Sequence, residues 1–205
     1  MVLFGVVDVA VVEVAVAAVV CFFIGSVNPA TLLARALGSD LRGSGSGNPG
    51  ATNAGRVLGR KWGALVLVLD VLKAYLPTLV VLRTMGTLPA LVAGFAVVLG
   101  HAFSPFLRGR GGKGVASALG TVLAVEPLVG LGALVAFGLV KIVVPFVGEA
   151  SVVTMGLVGM VGVLAALGAV PFVAPVVGAW LVTLAVLVLS RHRRNIVAWW
   201  RRRLA

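Results

Sequence analysis

The chain has 205 residues, 60% of them hydrophobic and only 11% charged, with a mean hydropathy of +1.16. Globular proteins carry about a quarter charged residues, so a soluble single domain is excluded. Seventeen Lys+Arg against six Asp+Glu leave a net charge of +11 that has to lie between long uncharged stretches, and the single cysteine, Cys21, excludes an intramolecular disulfide and the usual cysteine-based zinc sites.

A helix needs about 20 mostly apolar residues to cross the bilayer core. The gaps between charges predict a first span at 14–34, a second at 62–82 that contains Asp70 and Lys73, and a third at 84–107 with His101 near its end. Between Lys113 and Lys141, the turn signal Glu126-Pro127 splits the apolar run into a short helix at 115–125 and a longer one at 128–147. Spans at 151–167 and 172–190, separated by Gly168-Ala169-Val170-Pro171, complete the series. The expected architecture is an all-α integral membrane protein, a single domain over 1–205 with seven transmembrane helices and motif loops at 38–60 and 108–114.

Alternation of seven spans gathers 14 of the 17 basic residues on one face: Arg35, Arg42, Arg56, Arg60 and Lys61; Arg108, Arg110 and Lys113; and Arg191, Arg193, Arg194, Arg201, Arg202 and Arg203. Asp8, Glu13, Arg83 and Glu126 fall on the other. The positive-inside rule makes the basic face cytoplasmic, with the N-terminus external and the C-terminus cytoplasmic. The N-terminal run has no basic segment and begins with acids, unlike a cleavable signal. For the tail arginines, orientation and anionic-lipid contact are explanation enough.

Two glycine-rich loops on the basic face ask for more. The first includes Ser44-Gly45-Ser46-Gly47-Asn48-Pro49-Gly50-Ala51-Thr52-Asn53 and runs on to Arg56; its glycines let backbone N–H groups converge on an anion, while Arg56 and Arg42 supply charge. The second, Arg108-Gly109-Arg110-Gly111-Gly112-Lys113-Gly114, leads into a helix start, where free N–H groups and the helix dipole favour phosphate. It is not a Walker A loop, because Gly114 follows Lys113 where Ser or Thr is required. Two such loops on one face point to a phosphate-bearing ligand.

Asp70 and Lys73, at i and i+3, share a helix face and read as an intramembrane pair or as substrate contacts. His101 reads as a helix-packing donor, and His192 and Asn195, also at i and i+3, lie where they can face the loops. The six acids are dispersed, so a metal site is not expected. Neither a His-x4-Asp pair nor a Gly-x-Ser-x-Gly elbow is present. A transporter for an organic phosphate or other anion is the rival class, but no internal repeat is evident. A lipid-binding scaffold would use the arginines and leave the Ser/Asn/Gly pattern unexplained.

Gly25-Ser26, the run SGSGNPGATN at 44–53, Asp70 with Lys73, Gly100-His101, GGKGVAS at 111–117, and Arg191-His192 with Asn195-Ile196 together resemble the bacterial acyl-phosphate:glycerol-3-phosphate acyltransferase family, in order along nearly the whole chain. The resemblance implies a multi-pass protein of the bacterial inner membrane with its active site on the cytoplasmic side. The implied reaction moves a fatty acyl group from acyl phosphate to the 1-hydroxyl of glycerol 3-phosphate, giving lysophosphatidic acid in the first step of phospholipid synthesis. It implies direct transfer without an acyl-enzyme, a membrane-lipid setting, no cofactor, no metal and no nucleic-acid partner. By position, Lys113, Arg56, Ser46 and His192 are the implied catalytic residues; Asn48, Asn53, Gly111, Gly112, Gly114, Ser151 and Asn195 are the implied substrate- and phosphate-binding ones. Ser117 stands where the family often has Thr, and Leu204 where it commonly has a glutamate.

Overall fold

The computed structural model describes residues 2–204, with side chains for 9–202 and 204; the side chains of Asp8 and Arg203 lie outside the described residues. The helices are α1 (Val2–Ser26), α2 (Pro29–Ala36), α3 (Ala51–Val57), α4 (Arg60–Met85), α5 (Thr87–Ala102), α6 (Val115–Val125), α7 (Pro127–Val143), α8 (Val147–Ala166), α9 (Pro175–Arg191) and α10 (Arg193–Leu204). A 3-10 turn, Pro105–Leu107, follows α5, and the described residues form no strand.

The apolar stretch expected as one span at 14–34 is instead two helices. Asn28 breaks it: its Oδ1 accepts from the Thr31 amide at 2.8 Å, and Pro29 opens α2 at the position where a missing N–H costs nothing. The stretch expected at 84–107 ends its α-helix at Ala102 and finishes in the 3-10 turn. Helix α8 begins at Val147 rather than 151, which brings Glu149 inside it. The arginine-rich tail, expected only as an anchor, is the helix α10, bent 66° from α9. By length and composition, Val9–Ala36, Arg60–Met85, Thr87–Leu107 and Val147–Ala166 can cross a membrane; α9 with α10 makes a fifth crossing if taken as one, and α6 and α7 are shorter.

Small residues bring the helices together, as expected where lipid removes the hydrophobic drive for association. Helix α1 meets α5 so closely that a Cβ on Gly25 would lie 2.0 Å from the Val97 carbonyl oxygen, and one on Gly100 2.0 Å from that of Phe22. Gly162 and Gly178 do the same for α8 and α9. The main core combines Leu91, Val98, Val122, Val158, Trp180, Leu181, Leu184 and Val188, with the Trp180 indole N–H donating to the Leu91 carbonyl at 2.8 Å. Outward faces stay apolar, as with Val16 and Phe23 on α1, Leu72 and Leu76 on α4, and Leu139 and Ile142 on α7. Apolar exposure suits a lipid surround.

At one end of the bundle the helix termini are tied by polar contacts. Ser104 Oγ donates to the Ser26 carbonyl at 2.7 Å, and Asn28 Nδ2 to that of Pro49 at 2.9 Å. This end holds both glycine-rich loops and the α9–α10 junction.

Candidate active site

The first loop is built around Asn53, which is 1% exposed at the start of α3. Its Oδ1 accepts from the Ser46 amide at 2.8 Å, while Nδ2 donates to the carbonyls of Leu41 at 3.0 Å and Ser44 at 3.1 Å. A side chain expected to bind phosphate thus spends three hydrogen bonds on the loop's own backbone, and what it presents outward is Ser46, which is exposed. Asn48 is half-buried in the same loop, and Arg56 projects from the last turn of α3 into an exposed position. Arg42 departs from this group: its Nη2 donates to the Leu107 carbonyl at 2.9 Å, tying the first loop to the 3-10 turn.

The second loop lies back on the end of α5. The Gly111 amide donates to the Ala102 carbonyl at 3.1 Å and the Gly112 amide to the His101 carbonyl at 3.0 Å. Contact is so close that a Cβ on Gly112 would sit 2.1 Å from His101 Nε2. Gly114 has φ +87° and turns the chain into α6, a conformation that glycine adopts without strain. Lys113 then points away from the loop, and its Nζ donates to Asn195 Oδ1 at 2.6 Å.

Beneath the loop is a buried network that the sequence showed only in pieces. Lys73 Nζ lies 2.8 Å from Asp70 Oδ1, 3.0 Å from His101 Nδ1, and 2.8 Å from the Val27 carbonyl oxygen, to which it donates. His101 Nδ1 is also 3.4 Å from Asp70 Oδ1. Residues of α4 and α5 and the end of α1 are thereby fixed directly under Gly112. An Asp-x-x-Lys inside one span and a His at the end of the next is the signal that could have identified it.

The third part comes from α9 and α10. His192, 1% exposed, caps α9, with Nδ1 2.8 Å from the Val188 carbonyl oxygen. Neutral imidazole donates from Nδ1 in this arrangement, leaving Nε2 as the acceptor. Arg191 Nη2 donates to the Gly111 carbonyl at 3.4 Å, and its guanidinium stacks over Phe103. Asn195 packs on Gly148, where a Cβ would lie 2.1 Å from its Nδ2. Buried Glu149 binds Arg202, which also covers the Phe146 ring, so α10 is clamped to the start of α8. Ser151 is buried one turn further along, its hydroxyl donating to the Val147 carbonyl at 2.8 Å.

Electrostatics distinguish the cations. Burial, and then repulsion from the nearby Arg56 guanidinium, push the Lys113 pKa below its ordinary value of 10.5. His192 is held below 6.5 chiefly by burial, opposed by the Val188 carbonyl and reinforced by the charge of Lys113. Lys113, Arg56, His192 and Asn195 therefore share one electrostatic neighbourhood, flanked by the Gly111-Gly112 backbone. It can receive an anion, and it offers one neutral imidazole beside it. Among the described residues, no three His, Cys, Asp or Glu side chains gather as metal ligands would.

Comparison with known proteins adds to this geometry. The profile of the glycerol-3-phosphate acyltransferase family matches residues 15–202. A glycerol-3-phosphate acyltransferase of Geobacter sulfurreducens is 42% identical over 186 residues, covering 86% of this chain and 89% of that protein. Another, of Thermoanaerobacter pseudethanolicus, is 48% identical over 118 residues, covering 57% of this chain and 60% of that protein, so this match spans less than two thirds of it. The crystal structure of PlsY (YgiH), an integral membrane glycerol 3-phosphate acyltransferase, in its glycerol 3-phosphate form is similar with a TM-score of 0.85 and 33% identity, over 93% of this chain and 94% of that one. Its lysophosphatidic acid form matches with a TM-score of 0.81 and 32% identity, over 93% of each chain.

Proposed function

The chain belongs to the glycerol-3-phosphate acyltransferase family, and from that premise we propose that acyl phosphate is its donor, that the 1-hydroxyl of glycerol 3-phosphate is its acceptor, and that lysophosphatidic acid and phosphate are its products. The observation that carries this reading is the convergence of Lys113, Asn195 and Arg56 at the start of α6, where a phosphate meets both cations and the uncapped amides of the first helical turn. The relatives solved in glycerol 3-phosphate and lysophosphatidic acid forms support the same acceptor and product.

Acyl phosphate is a mixed anhydride, so no covalent enzyme intermediate is needed. The acceptor hydroxyl oxygen bonds to the acyl carbon, the bond from that carbon to the bridging oxygen breaks, and inorganic phosphate leaves with the bridging oxygen. Lys113 and Arg56 hold phosphate charge, the glycine backbone and Ser46 orient it, and Asn195 fixes the lysine. Asn48, Gly114 and Ser151 complete the binding wall, while Asn53 acts through the loop it shapes. The released proton goes to His192 Nε2 or to the departing phosphate; the depressed pKa of His192 keeps that nitrogen free near neutrality.

Seven crossings, N-terminus outside and site in the cytoplasm of a bacterial inner-membrane protein, complete the reading. Its support is the gathering at one end of the ends of α1, α5 and α9 and the starts of α4, α6 and α8, together with the basic loops, which makes α6 a short crossing. The test is phosphate release by detergent-purified protein given acyl phosphate and glycerol 3-phosphate. Turnover that Lys113→Ala abolishes is expected, and folded protein that releases nothing overturns the reading. His192→Gln with near-normal turnover removes the base role and keeps the positioning one.

A further inference from the structure

A second polar hollow, of about 320 Å³, opens on the same end of the molecule between α2, the first loop and the 3-10 turn. Arg35, Arg42 and Arg108 line it together with Asp40, above a floor that includes Leu41 and Leu107. None of Ser46, Arg56, Lys113, His192 or Asn195 contributes to its wall.

Its charge is unbalanced. Both carboxylate oxygens of Asp40 are turned to backbone, accepting from the amides of Arg42 at 2.8 Å and Gly43 at 3.1 Å. Arg42 is steadied by the Leu107 carbonyl, and among the described residues neither the Arg35 nor the Arg108 guanidinium has an ion-pair or hydrogen-bond partner. Arg108 is also the one non-glycine residue among those described with a positive φ, +53°, although the next position, Gly109, is a glycine at +71°. Holding an arginine where glycine would be unstrained directs a guanidinium to this hollow at the expense of backbone comfort.

The rim tells which anion fits. Phe106 is 62% exposed and its ring lies 6.3 Å from that of Phe23, itself an outward-facing residue of α1. Two exposed phenylalanine rings beside the end of an apolar helix put apolar surface directly at the edge of this polar hollow. A ligand with its phosphate in the hollow therefore has an apolar path for acyl chains beside it, whereas free phosphate would leave that rim unused.

We propose that Arg35, Arg42 and Arg108 form a binding site for the phosphate headgroup of a membrane lipid, separate from the site at Lys113. The inference rests on this hollow and not on the catalytic reading. Its test is binding of phosphatidic acid, a diacyl lipid with a phosphate monoester headgroup, measured by native mass spectrometry with glycerol 3-phosphate saturating. One lipid should bind, at least tenfold more weakly to Arg35→Gln/Arg108→Gln and unchanged to Lys113→Ala. Arg108→Gly relieves the backbone and keeps the fold, and it too should weaken binding. Equal affinity for phosphatidylcholine, or indifference to the arginine variants, or loss in Lys113→Ala overturns the proposal. Inorganic phosphate binding as tightly with the same arginine dependence replaces the lipid by a soluble anion and overturns it as well.

Discussion

Replacing Gly112 by alanine tests how the loop at Lys113 is held. The new Cβ would lie 2.1 Å from His101 Nε2 and 2.8 Å from its Cε1, and ordinary contact begins near 3.4 Å. The ring cannot easily retreat, because Nδ1 is held 3.0 Å from Lys73 Nζ and 3.4 Å from Asp70 Oδ1. The loop must therefore give way by more than 1 Å, carrying the Gly111-Gly112 amides and the base of Lys113 with it. Overpacking of this kind costs about 1–3 kcal/mol of stability, and a displacement of about 1 Å in a positioning element costs about 100-fold in rate. Steady-state kinetics for both substrates, beside thermal unfolding in detergent, should show a large loss of kcat/KM with a modest fall in Tm. Folded Gly112→Ala that turns over within about threefold of the parent would refute the view that close backbone approach positions the phosphate.

Asn53→Asp replaces a donor facing the carbonyls of Leu41 and Ser44 by a carboxylate oxygen; with these buried acceptors unpaired, a loss of about 1–3 kcal/mol is expected in thermal unfolding. Asp70→Asn removes the counter-charge of Lys73, a loss of about 3–5 kcal/mol that Asp70→Asn/Lys73→Met should largely recover in the same measurement. Because the Lys113 pKa lies below the ordinary 10.5, its ammonium, and with it phosphate affinity, is lost earlier as pH rises, so KM for glycerol 3-phosphate should rise on the alkaline side. Lys113→Arg should move that rise to higher pH. Stability runs the other way: between the folded pKa and 10.5 the unfolded chain binds more protons, so this group makes folding more favourable as pH rises.

Much of this was legible because apolar length and local spacing are written in one dimension. Glu126-Pro127 separates α6 from α7, and the i,i+3 spacing of Asp70 and Lys73 is enough to expect their ion pair. The break at Asn28 was hidden by the apolar residues on either side, which satisfy a span whether or not the helix bends between them. Glu149 looked like a loop residue because its partner, Arg202, lies 53 positions away, and only folding makes a buried carboxylate tolerable there. The same holds for the tail, whose arginines look uniform in sequence while, among the described residues, Arg202 alone of them pairs with an acid. Asn53 shows the limit for sites: its place in a glycine-rich motif pointed to phosphate, but which way an amide is turned depends on the loop closing around it.

The glycine contacts between α1 and α5 also decide which flank of α1 is open to hydrocarbon. Where Gly25 meets Val97 and Gly100 meets Phe22, backbone touches backbone, and no hydrocarbon tail can slip through that wall. The neighbouring seam between α1 and α4 is open, a trough of about 640 Å³ lined by Val16, Val20, Ile24, Val80 and Val81. The residues that hold α1 in place thus seal one of its flanks, while the other lies open to lipid from Ile24 towards Glu13 and Met85, at the end away from the glycine loops.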